Sequence, residues 1–266
     1  MKIGFIGAGA MAEALAKGLL GSSRYFPEDL CASDISQTRL DYFSATYGIT
    51  GHKDNKRVVE EADVVILAVK PDKAQGVITE VKESIKKEKL LITIAAGIST
   101  GAVEGWAGDY LPVIRVMPNT PCILGKGISA VCAGKYCNQL NLDIAQAIFS
   151  CVGDTVIVPE ILMNGVTGVS GSGPGYIYLV IEAMIDAGVT VGLSRQVATQ
   201  LVVKTVIGSA EMVSQTGQHP AVLKAQVVSP GGTTAAGINE LEAGNLRSVF
   251  TKAVKAAAQR AEEIGQ

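Results

Sequence analysis

The sequence predicts an α/β protein in which a doubly wound sheet of mainly parallel strands is followed by a smaller all-helical domain. Three observations support this fold class. Short apolar runs alternate with helical patterns from Lys2 to about Val158, several of these runs are apolar on both faces, and the strand signals stop after Glu160. Runs that are apolar on both faces are typical of parallel strands covered by helices on both sides. We therefore expect a first domain over residues 1–159 and a second over residues 160–266.

The predicted elements follow one another in a simple order. The strands are Lys2–Ile6, Leu30–Ser33, Val64–Val69, Leu90–Ile94, Val113–Met117, Ile128–Cys132 and Thr155–Val158. Amphipathic patterns then predict helices at Tyr176–Ala187, Gln196–Thr216, Ala221–Val228, Thr233–Ala243 and Arg247–Ile264. Ser194 is a suitable N-cap and Gly217 a suitable stop for the second of these helices. Helices this apolar often bury more than one face, so we expect a subunit interface, with packing against the first domain as the alternative.

The composition excludes several classes of function. Hydrophobic residues make up 48% of the 266 residues and charged residues 18%, which is typical of a globular chain. The net charge of −2 offers no basic field for nucleic acid or an anionic membrane. No apolar run approaches the ~20 residues that a transmembrane helix needs. The five cysteines include no Cys-x-x-Cys pair, so we expect no metal site and no disulfides, which indicates a cytoplasmic protein.

A glycine-rich loop follows the first predicted strand and leads into a helical run, Met11–Leu20. Its pattern is Gly-x-Gly-x-x-Ala, a variant of the dinucleotide-binding fingerprint, made by Gly7, Ala8, Gly9, Ala10, Met11 and Ala12. In that motif the first glycine permits a tight turn, the second lets a pyrophosphate approach, and the last small residue lets helix and strand pack closely. The strand–loop–helix context predicts a Rossmann domain that binds NADH or NADPH. A purely structural turn is the alternative.

Asp34 follows the second predicted strand, where an acidic residue that contacts the adenosine ribose is expected. A carboxylate there accepts hydrogen bonds from the ribose hydroxyls and repels a 2′-phosphate, which favours NADH. Nearby Ser33, Ser36, Thr38 and Arg39 are able instead to form a phosphate site, which favours NADPH. Asp34 is also a suitable helix N-cap with either cofactor, and the sequence supports both.

Small-residue loops recur later in the chain. Ala68-Val69-Lys70-Pro71 and Ala95-Ala96-Gly97 stand at the carboxyl ends of predicted parallel strands, where ligands bind in such sheets. The segment Ser229-Pro230-Gly231-Gly232-Thr233-Thr234 has the composition of a helix entry whose N–H and hydroxyl groups hold a carboxylate without lysine or arginine. An ordinary helix cap is the alternative for this segment. Lys70 is either a group near the nicotinamide or a strand-end lysine without that role.

Two further motifs complete the pattern: Arg115-Val116-Met117-Pro118-Asn119-Thr120-Pro121 and Gly168-Val169-Ser170-Gly171-Ser172-Gly173-Pro174. In this order, the motifs resemble the pyrroline-5-carboxylate reductases from end to end. The resemblance implies a Rossmann domain, a helical substrate-binding and dimerisation domain, and homodimers that assemble into decamers. It also implies reduction of a cyclic imino acid, 1-pyrroline-5-carboxylate, to L-proline, the last step of proline biosynthesis. Several relatives carry a neutral residue where Asp34 stands, which puts strict use of NADPH in doubt.

The motifs and the resemblance together predict two sets of site residues. The cofactor set is Gly7, Ala8, Gly9, Ala10, Met11, Ala12, Ser33, Asp34, Asn55, Ala68, Val69, Lys70, Pro71, Ala95, Ala96 and Gly97. The substrate set is Glu160, Gly231, Gly232, Thr233 and Thr234, and the catalytic candidates are Thr234 and Lys70.

The residue inventory suits an imine better than a ketone. An imine nitrogen can take its proton near neutral pH before hydride arrives, so a dedicated acid, often histidine, is less necessary. We expect His52 and His219 to lie in surface loops without a catalytic role. A β-hydroxyacid dehydrogenase is the nearest rival, but such enzymes carry a catalytic lysine where Gly171–Ile185 has none. The second rival, a sensor that binds NAD(P)H, would not require the Gly231–Thr234 segment.

Overall fold

A computed structural model describes residues 1–108 and 110–265. Its strands are β1 (Ile3–Ile6), β2 (Leu30–Ser33), β3 (Thr50–His52), β4 (Val64–Leu67), β5 (Leu90–Thr93), β6 (Val113–Met117), β7 (Gly127–Ala133) and β8 (Gly153–Ile157). They form one sheet in the order β3-β2-β1-β4-β5-β6-β7-β8. Neighbouring strands are parallel except β6 and β7, which pair antiparallel. The predicted mainly parallel sheet is confirmed.

The helices before residue 167 alternate with these strands, and those after residue 172 follow one another without strands. They are α1 (Ala10–Gly21), α2 (Gln37–Tyr47), α3 (Asn55–Glu61), α4 (Pro71–Val81), α5 (Thr100–Ala107), α6 (Gln139–Phe149), α7 (Met163–Val166), α8 (Gly173–Thr190), α9 (Arg195–Thr216), α10 (Pro220–Gln226), α11 (Thr233–Ala243) and α12 (Leu246–Ile264). A π-helical turn, Thr167–Gly171, separates α7 from α8. Ser194 caps α9 by accepting from Val197 N, and Gly217 ends it with a φ of +62°.

The sheet is buried on both faces because successive side chains of a strand point in opposite directions. Ile3 and Phe5 of β1 belong to one apolar cluster, which α1 and α6 cover. Ile6 of the same strand belongs to a second cluster on the opposite face, which α3, α4 and α5 cover. Helices on both faces are the feature that defines a doubly wound sheet, so the predicted fold class is confirmed.

One strand was not predicted. The stretch Thr50–His52 was expected to be a polar loop, but it pairs in parallel with β2 as the edge strand β3. An edge strand has one partner and exposed residues, so it lacks the apolar signal that identified the other strands. The expectation of a loop position for His52 is therefore wrong. His219 is exposed and forms the N-cap of α10, where its Nδ1 accepts from Ala221 N at 3.2 Å.

Packing divides the chain into two compact units. The first contains Met1–Ser172 together with the chain from Lys255 onward, and the second contains Gly173–Val254. This division falls later than the predicted boundary between residues 159 and 160 because Met163 of α7 is fully buried against Ala130 and Cys132 of β7. In the part of the chain that the structure describes, no helix is long and apolar enough to cross a bilayer.

Candidate active site

The predicted cofactor loops lie at one edge of the sheet. β1, β2, β4 and β5 are parallel neighbours, so their carboxyl ends meet there. Backbone hydrogen bonds join the loops that follow these strands: Gly7 N donates to Ser33 O at 2.8 Å, and Ala68 N donates to Ile6 O at 2.8 Å. The segments that start at Gly7, Asp34 and Ala68 are thereby held side by side, at the edge where doubly wound sheets bind ligands.

The two glycines of the fingerprint have different surroundings. Gly7 has a φ of +99°, and a Cβ at this position would lie 2.7 Å from Ala68 O, so only glycine fits there. Gly9 has an ordinary φ of −75°, and a Cβ there would meet no protein atom within 4 Å. Ala12 is fully buried in the core between α1 and the sheet. The packing of the fold therefore requires small residues at Gly7 and Ala12. Packing makes no such demand at Gly9, where the missing side chain leaves open space on the solvent side.

The N-terminus of α1 faces the same space. Gly9 is its N-cap and provides no side-chain acceptor. The N–H groups of Ala10, Met11 and Ala12 have no hydrogen-bond acceptor among the described residues. Unpaired N–H groups at the positive end of a helix dipole are a favourable site for a phosphate. The chain's own residues therefore fit the pyrophosphate of a dinucleotide.

Asp34 is fixed against the glycine-rich loop. Its Oδ2 accepts from Ala8 N at 2.8 Å and its Oδ1 accepts from Ser36 N at 2.8 Å. The first bond orients the loop, and the second forms a turn before α2. The N-cap of α2 is Ser36, so the interpretation of Asp34 as the N-cap is wrong, and its contact with a ribose stays a prediction. A carboxylate oxygen has more than one lone pair, which leaves each oxygen able to accept a further bond.

Ser33 and Asn55 are joined to each other. The fully buried Ser33 donates from Oγ to Asn55 Oδ1 at 2.7 Å, and Asn55 donates from Nδ2 to Glu80 Oε2 at 3.1 Å. Asn55 is the first residue of α3, and Glu80 lies near the end of α4. The structure thus brings together Ser33 and Asn55, two residues of the predicted cofactor set, and adds Glu80, which the sequence did not indicate.

The loop after β5 packs closely against the end of α12. Gly97 has a φ of +81°, and a Cβ there would collide with Ala261 O near the end of α12. The same helix end brings Gly265 against the backbone of Gly97. Lys70, by contrast, is exposed and precedes Pro71, the first residue of α4. Both interpretations of Lys70 therefore remain predictions.

Glu160 has a well-defined set of partners inside the first unit. Its Oε1 accepts from Thr100 N at 2.7 Å, and its Oε2 accepts from Thr100 Oγ1 at 2.6 Å. Arg115 of β6, whose side chain is 5% exposed, lies 3.6 Å from Glu160 and donates to Asn164 Oδ1 at 3.0 Å. Glu160, Arg115 and Asn164 line a cleft of about 740 Å³ beside Gly97. The sequence carried one signal of this cluster, an arginine within an otherwise apolar strand.

The Gly231–Thr234 segment belongs to the second unit and has the predicted form of a helix entry. Gly231 has a φ of +69°, and Gly232 is the N-cap of α11 without a side-chain acceptor. In the described residues, the N–H groups of Thr233 and Thr234 and the half-buried hydroxyl of Thr234 have no hydrogen-bond partner. The segment therefore presents several donors and no cation, which suits a carboxylate.

Groups of three or more histidine, cysteine, aspartate or glutamate side chains that could hold a metal are absent from the described ranges. The predicted cofactor set offers backbone N–H donors, small residues, the amide of Asn55, the ammonium group of Lys70 and one carboxylate, that of Asp34. Such a site binds and orients a dinucleotide, and the reactive chemistry comes from the dinucleotide itself.

Comparison with known proteins gives the chain its family. A family model described as pyrroline-5-carboxylate reductase dimerisation matches residues 160–264, and one described as NADP oxidoreductase coenzyme F420-dependent matches residues 2–97. Pyrroline-5-carboxylate reductase of Arabidopsis thaliana is 44% identical over 100% of this chain and 96% of the relative. The solved reductase of Coxiella burnetii has a TM-score of 0.91 at 37% identity, with 100% of this chain and 98% of that chain covered.

A second solved structure extends the comparison to a complex with cofactor. Plasmodium falciparum pyrroline carboxylate reductase with NADP bound has a TM-score of 0.92 at 35% identity, over 100% of this chain and 98% of that chain. By contrast, prephenate dehydrogenase of A. aeolicus has a TM-score of 0.57 at 11% identity and shares the fold alone. The resemblance inferred from the motifs is confirmed: the chain belongs to the pyrroline-5-carboxylate reductase family.

Proposed function

We propose that this chain reduces 1-pyrroline-5-carboxylate to L-proline with NADH or NADPH, the last step of proline biosynthesis. The full-length similarity to named pyrroline-5-carboxylate reductases carries the proposal. The open loop at Gly9 and the unpaired N–H groups of α1 support it, because they suit a dinucleotide pyrophosphate.

The reaction needs little acid–base machinery from the protein. When bound, the reduced nicotinamide supplies a hydride to the C=N carbon of the five-membered ring. The ring nitrogen carries a proton before that transfer, so that the product is the secondary amine of proline without a further charged group on the enzyme. The protein's contribution is therefore to place the two reactants and to hydrogen-bond the substrate carboxylate.

We assign different segments of the first unit to different parts of the cofactor. We assign the pyrophosphate to Gly7–Ala12 and the adenosine ribose to Asp34, with Ser33 and Asn55 supporting that loop. Ala68–Pro71 and Ala95–Gly97, at the ends of β4 and β5, are assigned to the nicotinamide half. Lys70 is included because its exposed ammonium group stands at the start of α4.

The substrate is assigned chiefly to the second unit. Its carboxylate would be held by the N–H groups of Thr233 and Thr234, which follow the turn at Gly231 and Gly232, where the Gly232 N–H donates to Ser229 O at 3.0 Å. The Thr234 hydroxyl would bond the ring nitrogen or the carboxylate. The support is that this hydroxyl is half-buried without a partner in the described chain. Glu160 is assigned to the substrate side by resemblance, with the qualification that Thr100 already bonds both its oxygens.

The second unit supports a proposal about how chains of this protein associate. The chain contains a dimerisation domain. Large apolar side chains stand exposed along its helices in the single chain, for example Tyr178 at 60%, Leu179 at 65% and Leu201 at 54%. Contiguous apolar surface of this kind marks an interface, so we propose a homodimer that assembles further to a decamer. We also propose a cytoplasmic location, which the five free cysteines support.

A spectrophotometric assay tests the proposal. The purified chain is given NADH or NADPH with 1-pyrroline-5-carboxylate, and with the six-membered cyclic imino acid for comparison. We expect substrate-dependent oxidation of the cofactor, faster with the five-membered ring, and L-proline as the product by chromatography. Cofactor binding without oxidation would instead identify a sensor, and oxidation without proline would exclude this substrate.

A further inference from the structure

Two side chains near the adenosine end of the predicted cofactor site, Arg39 and Asn55, are already paired with carboxylates. Arg39 of α2 was the one cation among the residues considered for a 2′-phosphate site. Its terminal nitrogen lies 2.7 Å from Glu13 Oε2, and its Nε donates to Ala8 O at 2.7 Å. Its guanidinium also stacks on the rings of Tyr42 and Phe43, 5.0 and 5.4 Å from their centroids. Two of the three guanidinium nitrogens, Nη2 and Nε, are therefore directed to acceptors of the protein, and 33% of the side chain is exposed.

Glu13 is held as firmly as Arg39. It lies in the first turn of α1, directly after the fingerprint, and its Oε1 accepts from Tyr42 Oη at 2.9 Å and from Tyr47 Oη at 3.1 Å. The Arg39 guanidinium, followed by these hydroxyls, lowers the pKa of the Glu13 carboxyl, so the carboxylate stays charged. A charged Glu13 cancels the charge that Arg39 would otherwise offer to a phosphate.

The other candidate groups add no positive charge. Ser33 is fully buried and donates to Asn55, which in turn donates to Glu80. The hydroxyls of Ser36 and Thr38 are neutral. Asp34 holds its carboxylate at the loop through Ala8 N. A ribose hydroxyl can donate to this carboxylate, whereas a 2′-phosphate has about two negative charges and no proton to donate.

We propose that the chain prefers NADH, and that Glu13 is a positioning residue for this preference because it keeps Arg39 from a 2′-phosphate while Asp34 receives the ribose hydroxyls. The inference rests on the proposed function and deepens it by choosing between the two cofactors. Selectivity of this kind combines an attraction for one ligand with a repulsion for the other. Asp34 attracts the ribose hydroxyls of NADH and repels the 2′-phosphate of NADPH. Glu13 pairs with Arg39, the one cation that would offset this repulsion.

The test measures binding as well as turnover. Dissociation constants of NADH and NADPH are determined by calorimetry for the full chain and for Asp34→Asn, Glu13→Gln and the double variant. Glu13→Gln is isosteric, so its amide oxygen still accepts from Tyr42 and Tyr47 while the charge is lost. Glu88→Gln is the matched control, because Glu88 is exposed in the loop before β5, at the opposite edge of the sheet.

We expect the unmodified chain to bind NADH at least about tenfold more tightly than NADPH, and each single substitution to shift the ratio about tenfold towards NADPH. The double variant should prefer NADPH, and adding Arg39→Ala to Glu13→Gln should remove the gain. Glu88→Gln should leave the ratio unchanged. These gains should shrink at high salt, because they are electrostatic.

Several results would overturn the inference. An unmodified chain that binds NADPH as tightly as NADH would contradict the preference. An unchanged ratio in Glu13→Gln, or an equal loss of both cofactors, would show that Glu13 merely shapes the loop. If neither cofactor supports reduction of 1-pyrroline-5-carboxylate, the proposed function fails, and the binding ratio still decides the role of Glu13.

Discussion

The two fingerprint glycines allow a matched experiment, because the same substitution should strongly destabilise the protein at Gly7 and change its stability little at Gly9. At Gly7, alanine must adopt a φ of +99°, and its Cβ would lie 2.7 Å from Ala68 O and 3.0 Å from Ala68 C. A left-handed backbone costs a residue with a Cβ about 1–2 kcal/mol. Displacing a backbone carbonyl in a packed core adds about 1–3 kcal/mol. We therefore expect Gly7→Ala to lower the free energy of unfolding by roughly 2–5 kcal/mol.

At Gly9 neither penalty applies. Its φ of −75° is ordinary, and no protein atom lies within 4 Å of the Cβ position. Gly9→Ala should change the stability of the cofactor-free protein by less than about 1 kcal/mol, because the gain from restricting the unfolded chain opposes the loss from placing alanine at the N-cap of α1. Affinity for both NADH and NADPH should fall at least about tenfold in Gly9→Val, whose branched side chain occupies the space assigned to the pyrophosphate.

Urea denaturation of the cofactor-free variants measures the first quantity, and calorimetric titration measures the second. The Tm of Gly7→Ala should fall by roughly 5–15 °C, since 1 kcal/mol corresponds to a few degrees in a chain of this size. Wild-type cofactor affinity in Gly9→Val would remove the assignment of residues 7–12 to the pyrophosphate. Equal destabilisation by alanine at both positions would refute the reasoning from φ and from the space around each glycine.

Three further outcomes are expected. Thr234→Ala should lower kcat/KM for the imino acid roughly ten- to a hundredfold, the effect of ~1.5–3 kcal/mol for a bond to a charged partner, with cofactor affinity unchanged; a similar loss in Thr234→Ser would mean that the hydroxyl is not the group involved. Sedimentation at micromolar concentration should give a dimer or a multiple of one, and a fully active monomer would contradict the interface. Glu160→Gln should lower the free energy of unfolding by ~1–3 kcal/mol in urea, because it removes the charge facing the buried Arg115; unchanged stability would show that the pair contributes nothing to the fold.

The apolar runs of the sequence predicted most of the sheet for a physical reason. Strands covered on both faces must be apolar at every position, so a run such as Val64–Leu67 is visible without knowledge of its partners. The edge strand Thr50–His52 has no such requirement and was missed. The antiparallel direction of β7 was not predicted either, since the composition of Gly127–Ala133 carries no information about which way the chain runs.

The glycine-rich turn and the start of α1 were predictable because their geometry is local, while the partners of charged side chains were not. The turn at Gly7 and the entry into α1 lie within a few residues of each other, so the fingerprint could be read directly. Glu13, by contrast, looks like any polar residue of a first helical turn. Its partners Arg39, Tyr42 and Tyr47 lie on another helix, and only the packing of α1 beside α2 shows that they meet.

Glu160 connects the helix that follows a predicted cofactor loop with the chain segment that leads to the second unit. Thr100, which bonds both its oxygens, is the first residue of α5, and a helix leaves that N–H without a partner of its own. The loop ending at Gly97 leads directly into that helix, so Glu160 fixes the helix that follows a predicted cofactor loop. Glu160 also begins the chain segment that leads through α7 to the second unit. We therefore expect a substitution of Glu160 to disturb both the loop at Gly97 and the segment that follows Glu160, whereas Thr234→Ala, at the entry of α11, should change the use of the imino acid alone.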